Sequence, residues 1–587
     1  MTSVFVAAIV VALPHCRRPP AAPAGQPAAW SAERVIRDKP LFVRCGDEKR
    51  EAWKISGHDP SVITLPLMRG SDSIDLSVCT DEIGAMTALT LDAADAQAKK
   101  VSGWDAPYDI NVPYGSWGTA TVAVDPAVIP KTGAQLSLRV SPRSAPGNPR
   151  FVYVAAHARS QPPKGKPNIL LISIDTLRAD RMSSYGHRLQ TSLNFENLSH
   201  GGTVFTNAIV QAASTPPSHA SMLTGCYPSR TGLFVTKEVG SSYDNPDFRL
   251  NDRVVTLAEV LRANGYQTAA TTGGGFLGSG FGFARGFDVF AEDNTTRPSE
   301  IMRGVDRVLK WLNAPARAPW FIFLHTYAVH RGPSGYEHRS YEALPLLDNM
   351  YPGRGTDAVA KAYNARYDSG VLFADVILGA IFDDLYFTQH LGDTIVVVTS
   401  DHGETLDERL AQAGYSYNHG YAFYDELVRV PLLIRTPQFA PAHARVDRPV
   451  EEVDIVPTIL ELAGVKHPTG RIDGKSLVGL MKGTGGYDKE AAFIESSPGG
   501  PFRAAVRNER YKYVRVLDWR PSFGNDYGMK KPPEEELYDL ARDPQERNNL
   551  AASPGMAAVK ADLRRRLETL VAHAGTMDVI RGAQNRR

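Results

Sequence analysis

Asn168-Ile169-Leu170-Leu171-Ile172-Ser173-Ile174-Asp175 is the stretch on which the fold turns. It is apolar on both faces and stops at a carboxylate. A strand with one wet face alternates polar and apolar residues, whereas one buried on both faces reads as a near-continuous apolar run. Thr394-Ile395-Val396-Val397-Val398-Thr399 repeats the pattern. Helix-period segments lie between them, such as Val255-Thr256-Leu257-Ala258-Glu259-Val260-Leu261 and residues 302–312. Strands alternating with helices predict a doubly wound α/β domain with a mostly parallel sheet. Ligands of such sheets bind beyond the carboxyl ends of the strands. Asp175 follows one of these ends, and Ser400-Asp401-His402-Gly403-Glu404 follows another.

Working outward, Gln161-Pro162-Pro163-Lys164-Gly165-Lys166-Pro167 reads as a linker. Residues 36–160 carry short alternating runs punctuated by turn residues, which predicts a β domain, sandwich-like. Its Trp104, Tyr108, Tyr114 and Trp117 are either a carbohydrate-binding set or ordinary core and interface residues. Cys45 and Cys79 either pair in an oxidising compartment or stay free and buried. Residues 1–35 combine a short apolar run (residues 4–13), Cys16 and a Pro/Ala-rich stretch. This reads as a secretory segment and linker, with Cys16 a candidate lipidation site, although His15 suits such a cleavage poorly. Export to a bacterial periplasm or an outer-membrane or cell-surface lipoprotein location is the expectation. Beyond the catalytic domain, expected over 167–470, residues 471–587 are expected to form a small C-terminal α+β subdomain.

The 587 residues carry 43% hydrophobic and 22% charged side chains with a net charge of +1, which argues against wholesale disorder and against a nucleic-acid partner. No run has the length of a transmembrane helix.

One more stretch carries the chemistry: Thr215-Pro216-Pro217-Ser218-His219-Ala220-Ser221-Met222-Leu223-Thr224-Gly225. It resembles the signature of the sulfatase family in the alkaline phosphatase superfamily, Cys/Ser-x-Pro-Ser-Arg followed by a small-residue helix start and Thr-Gly. Further matches follow in family order. They are Val453-Asp454-Ile455-Val456-Pro457-Thr458, Arg510-Tyr511-Lys512-Tyr513, Glu536-Leu537-Tyr538-Asp539-Leu540 and Asp543-Pro544. The resemblance spans about residues 167–552.

The departures are as informative. Thr215 stands at the nucleophile position, where the family oxidises a cysteine or serine to formylglycine. A methyl on the β-carbon bars that oxidation, so no formylglycine is expected, and Thr215 is read as an alkoxide nucleophile. His219 replaces the family arginine and is expected as a catalytic residue that orients the Thr215 hydroxyl or contacts the transferred group, and Thr176 replaces the second of two aspartates. His419, in His419-Gly420-Tyr421-Ala422-Phe423-Tyr424-Asp425-Glu426, is the nearest replacement for a missing lysine, as general acid or as a structural residue. The resemblance implies one divalent ion held by Asp175, Asp401, His402 and Thr215. An imidazole ligand favours Mn²⁺ or Zn²⁺, with Ca²⁺ a further candidate. His330 maps to the histidine that donates to ester oxygens. His325 and Thr176 are candidate substrate contacts, His325 being equally well a buried structural residue.

The reading is a metal-dependent hydrolase of an anionic ester, sulfuric or phosphoric, the latter including diesters and phosphonates. Transfer of a phosphoethanolamine- or glycerophosphate-type group is the enzymatic alternative. A degenerate exported binding module is the non-enzymatic one.

Overall fold

The structure is a computed structural model. It describes residues 34–36, 41–45, 48–56, 61–66, 71–80, 87–94, 108–112, 117–123, 135–142, 151–160, 165–234, 248–293, 299–314, 319–330, 358–406, 408–409, 419–420, 422–439, 445–495, 502–518 and 532–585. Cys16 with the rest of residues 1–33, residues 161–164 of the linker, Trp104, Tyr114 and the side chain of Tyr108 lie outside the described set. The chain divides into two compact units, Met1–Gln161 and Pro162–Arg587.

The first unit is built from strands. Gln135–Pro142 lies between Ser61–Pro66 and Thr87–Ala94 in one sheet, and Phe151–Ser160 lies between Glu48–Ser56 and Ser71–Cys79 in another. All four of these pairings are antiparallel, as the alternating runs predict. Cys45 and Cys79 are joined in a disulfide. Trp117 donates Nε1–H to the Glu48 carbonyl at 3.3 Å and lies beneath the Arg50 guanidinium, so its ring has partners inside the unit.

The second unit holds the predicted α/β domain. Its strands are β1 (Asn168–Ile174), β2 (Gly202–Ile209), β3 (Gln267–Thr272), β4 (Val289–Glu292), β5 (Trp320–Thr326), β6 (Thr394–Thr399) and β7 (Arg429–Arg435). Across the sheet they run β2-β7-β6-β1-β5-β3-β4. From β6 to β4 every pairing is parallel, and β7 runs antiparallel to β6 and to β2. β5 and β6 are buried along their whole length, and so is β1 beyond its first residue. That is why neither β1 nor β6 alternates in sequence.

The helices that matter here are α1 (Thr215–Thr224), α2 (Leu257–Ala263), α3 (Ser299–Leu312), α4 (Ala358–Phe387) and α5 (Ala557–Ala574). α2 starts with a capping box: Thr256 Oγ1 accepts from Glu259 N–H, and the Glu259 carboxylate accepts from Thr256 N–H. Val305, Val308 and Leu312 of α3 and Tyr367, Val371, Leu378 and Leu385 of α4 share one core with Leu170 and Ile172 of β1. Among the described residues no helix is long and apolar enough to cross a membrane.

A four-stranded antiparallel sheet closes the chain: β8 (Ala492–Glu495), β9 (Phe502–Arg507), β10 (Tyr511–Asp518) and β11 (Glu535–Asp539), in that order. Leu563, Leu567 and Val571 of α5 pack with Phe493, Val506, Tyr513 and Leu537 of this sheet. The one-face burial explains why α5 shows apolar residues four apart.

Candidate active site

Strand register assembles the site. Ser173 on β1 is level with His325 on β5 and with Thr399 on β6. Asp175 and Asp401 therefore each lie two residues past the same register point on neighbouring parallel strands. α1 presents Thr215 as its first residue, with Pro216 and Pro217 in the first turn, where a missing N–H removes no helical hydrogen bond. All ten residues of α1 are buried, and Gly225 ends it in the left-handed region at φ 71°. Cys226, just beyond, is a free buried cysteine that contacts the Thr224 carbonyl, as a packing residue does.

The two strand ends are tied together. Leu177 N–H donates to Ser400 Oγ at 2.9 Å, and Ser400 donates to the His402 carbonyl at 2.7 Å. Thr176 sits at φ 58°, a left-handed conformation costly for a β-branched residue. Its N–H reaches Asp401 Oδ1 at 3.3 Å, its hydroxyl donates to the Asp175 carbonyl at 2.7 Å, and Tyr367 of α4 donates to its carbonyl at 2.6 Å. The strained turn is thus over-determined, and the Thr176 hydroxyl is spent within it. Gly403 permits the next approach, because a Cβ there would come within 1.9 Å of the Glu426 carbonyl oxygen.

Asp175, Asp401 and His402 are fully buried, and among the described residues they form the one cluster able to hold a metal ion. Hydrogen-bond chemistry tests that fit. His402 Nδ1 lies 2.9 Å from the Gly403 carbonyl, which can only accept, so Nδ1 carries the proton and Nε2 presents a lone pair. That lone pair faces Asp401 Oδ2 at 3.3 Å, Thr215 Oγ1 at 3.3 Å and Asp175 Oδ1 at 3.8 Å. Asp175 Oδ1 and Asp401 Oδ2 are buried oxygens without a hydrogen-bond partner. An inward cluster of lone pairs of this kind is a donor set that a divalent cation would fit. Burial accordingly pushes Asp175 up to about 7 and Asp401 well above the carboxylate range, and holds His402 well below the usual imidazole value.

The remaining histidines differ in what they face. Thr215 Oγ1 donates to Asp175 Oδ2 at 3.2 Å, and His325 Nε2 lies 3.4 Å from the same oxygen. Gly273 N–H donates to His325 Nδ1, which leaves Nε2 as the protonated atom directed at Asp175. His219 turns away from the Thr215 hydroxyl. Its Nδ1 donates to the Thr215 carbonyl at 2.9 Å, and its Nε2 accepts from Ser173 Oγ at 3.0 Å. Burial lowers His219 to about 4 and His325 to about 3, so both are neutral imidazoles at pH 7. His330 and His419 are partly exposed, with His330 Nε2 3.9 Å from Asp175 Oδ1 and the two rings 5.2 Å apart. Glu404 Oε2 lies 3.2 Å from His419 Nδ1. Burial alone would lower His419, but Glu404, Asp175 and Asp401 raise it.

Sequence reasoning missed several residues that build this site. Tyr367 and Ser400 hold the turns, and Ser173 fixes the ring of His219. Ser218 donates to the Asp401 carbonyl. Lys512, in the Arg510-Tyr511-Lys512-Tyr513 motif, is fully buried and grips the segment after His419. Its Nζ donates to the Phe423 carbonyl at 2.7 Å and lies 2.6 Å from Asp425 Oδ1 and 2.8 Å from Glu546 Oε1. No local pattern marks these residues, because their partners are dozens to hundreds of positions away. In Lys512→Met the buried Glu546 and the largely covered Asp425 lose their shared cation, though Asp425 keeps Arg507. The expected cost is about 3–5 kcal/mol in denaturant unfolding. A loss below about 1 kcal/mol would show that the pair does not anchor the loop.

Comparison with known proteins places a chain with this sheet and these groups at its carboxyl edge among the hydrolases of the alkaline phosphatase superfamily. Within it the chain belongs to the sulfatase family, whose Sulfatase model matches residues 167–465. A second model, the C-terminal region of N-sulphoglucosamine sulphohydrolase, matches residues 415–573. A sulfatase of Formosa agariphila is 26% identical over 470 residues, covering 68% of this chain and 86% of its own. Arylsulfatase A of Bos taurus is 29% identical over 445 residues, covering 67% of this chain and 85% of its own. Among solved structures, the phosphonate monoester hydrolase of Agrobacterium radiobacter aligns with a TM-score of 0.53 at 23% identity, over 70% of this chain and 96% of that one. At that identity the likeness speaks for the fold alone.

Proposed function

We propose that the chain is a divalent-metal-dependent hydrolase that cleaves singly charged sulfuric or phosphoric esters through a covalent ester on Thr215. The observation that carries this reading is the Thr215 hydroxyl at the edge of the Asp175, Asp401 and His402 lone-pair cluster. A divalent ion bound there supplies Lewis acidity and lowers the pKa of the neighbouring hydroxyl. The imidazole of His402 favours Mn²⁺ or Zn²⁺ over Ca²⁺.

The protein's own groups then have distinct tasks. Asp175 Oδ2 orients the Thr215 hydroxyl by accepting its proton. Thr215 Oγ forms a bond to sulfur or phosphorus as the bond to the leaving oxygen breaks. His419, held at Nδ1 by Glu404, gives the leaving oxygen its proton from Nε2. Water then attacks sulfur or phosphorus, giving a proton to His419 Nε2, and Thr215 Oγ leaves with the proton that Asp175 Oδ2 had taken from it. His330, partly exposed beside His419, contacts the ester oxygens. His219 and His325 orient Thr215 and Asp175, and Thr176 is assigned to its strained turn.

Charge argues for the substrate class. Among the described residues no lysine or arginine bonds to Asp175, Thr215, Asp401 or His402, and His219, His325 and His402 are neutral. A doubly charged phosphate monoester therefore meets less compensation than a sulfate ester, phosphodiester or phosphonate monoester. The test is a parallel assay of all four classes, each as an aryl and an alkyl ester. Turnover is expected to concentrate on the singly charged esters and to include alkyl ones, because His419 protonates the leaving oxygen. A phosphate monoester turned over best would overturn the charge argument. Transfer to an acceptor alcohol in place of water would appear in the same assay as an exchanged ester product.

The Cys45–Cys79 disulfide supports export to an oxidising compartment. Recovery of the native protein from cytoplasm with both thiols reduced would overturn that reading.

A further inference from the structure

We infer that Glu452 is a neutral carboxylic acid which, through Ser218, positions the Asp401–His402 peptide against the helix that carries Thr215. The inference deepens the metal-site reading and rests on it. Ser218 lies one turn after Thr215 on α1 and is fully buried. Its Oγ is 2.6 Å from the Asp401 carbonyl oxygen and 2.7 Å from Glu452 Oε2. A serine hydroxyl has a single proton, and a carbonyl oxygen can only accept. Two contacts this short cannot both be served by that proton. Ser218 donates to Asp401, so the second hydrogen belongs to Glu452, whose O–H donates to Ser218 Oγ.

The surroundings of Glu452 agree. The residue is 1% exposed and its other oxygen, Oε1, has no hydrogen-bond partner. Lys489, the cation beside its neighbours, is bound to Glu451 and Asp454. No ion pair reaches Glu452 among the described residues. An ionised carboxylate there would be a buried charge with neither cation nor full hydrogen bonding, the costliest arrangement available to it. Burial pushes its pKa well above the usual range, with Ser218 opposing and Asp401 adding to the rise.

The relay joins three elements: the turn Glu452–Asp454, α1 and the end of β6. The carbonyl it holds belongs to the peptide between Asp401 and His402, so a shift there moves both proposed ligands relative to Thr215. Glu452 is therefore a positioning residue.

The test compares Glu452→Gln, which keeps a donor for Ser218, with Glu452→Met, which fills similar volume without one. Titration with Mn²⁺ or Zn²⁺ alone is expected to give Glu452→Gln an affinity within about threefold of wild type. Glu452→Met is expected to lose about 10–100-fold, as is usual when a partner behind a metal ligand is removed. Thermal unfolding of Glu452→Met is expected to be no lower than wild type, since an apolar side chain replaces a buried acid. Infrared spectroscopy of wild type minus Glu452→Gln is expected to show a protonated-carboxyl band that persists at pH 8 and shifts in D₂O. Absence of that band, a Glu452→Gln as impaired as Glu452→Met, or a Glu452→Met with wild-type affinity would each overturn the proposal. If wild type binds neither ion, the metal reading falls, and the infrared band alone decides where the proton sits.

Discussion

Thr215→Ala is expected to lower kcat/KM by about a hundredfold or more, with kcat carrying the loss, because a nucleophile acts only in the transition state. The size of the effect follows from the surroundings of the hydroxyl. Thr215 is 5% exposed, and its Oγ1 is 3.2 Å from Asp175 Oδ2 and 3.3 Å from His402 Nε2. Two other described hydroxyls of the site are held elsewhere. Ser218 Oγ is engaged by Asp401 and Glu452, and Thr176 Oγ1 is engaged by the Asp175 carbonyl. His219 holds the Thr215 backbone and not its side chain, so the alanine variant is expected to keep its helix start. Thr215→Ser should retain measurable turnover. Full activity in Thr215→Ala would sink the nucleophile assignment, and loss of bound metal in it would recast Thr215 as chiefly a ligand.

A larger loss is expected from Asp175→Ala, on the order of a thousandfold, equivalent to about 4 kcal/mol at about 1.4 kcal/mol per decade. Asp175 faces the rest of the site: Oδ2 meets Thr215 and His325, while Oδ1 faces His402 and His330. Removing it takes away a proposed metal ligand, the orienting partner of the nucleophile and the anchor of His325 together. Chelation of wild type should reproduce the loss, and added Mn²⁺ or Zn²⁺ should reverse it, which added metal should not do in Asp175→Ala. A chelated wild type that keeps its rate would contradict metal dependence. Equal rescue of both proteins would show that Asp175 is not a ligand.

How much of this was legible in sequence follows from the range of each interaction. β1 and β6 could be read because burial on both faces writes itself into consecutive residues, and the strand ends then pointed to Asp175, Asp401 and His402. The signature around Thr215 could be read because helix start, prolines and terminal glycine are adjacent in the chain. The antiparallel excursion of β7 left no such mark, since its apolar run looks the same in either direction. The orientation of His219 was also hidden. Its partners are a backbone oxygen one turn back and Ser173, 46 positions away, and only the folded sheet brings Ser173 under α1. Glu452 is plainer still: a glutamate beside an acidic residue reads as surface until burial and a missing cation show it to be an acid. The positive φ of Thr176 has no sequence signal at all, because glycine or asparagine is the usual occupant of that region.

The central claim is that the ester group passes through Thr215. The most direct measurement is the stereochemical course at the transferred sulfur or phosphorus, using an isotopically chiral phosphodiester or phosphonate monoester in labelled water or, for a sulfuric ester, transfer to an acceptor alcohol in place of water. Two successive in-line displacements, first by Thr215 and then by water or the acceptor alcohol, predict net retention. Inversion would mean that water or the alcohol attacks the ester directly and that Thr215 is not esterified during turnover.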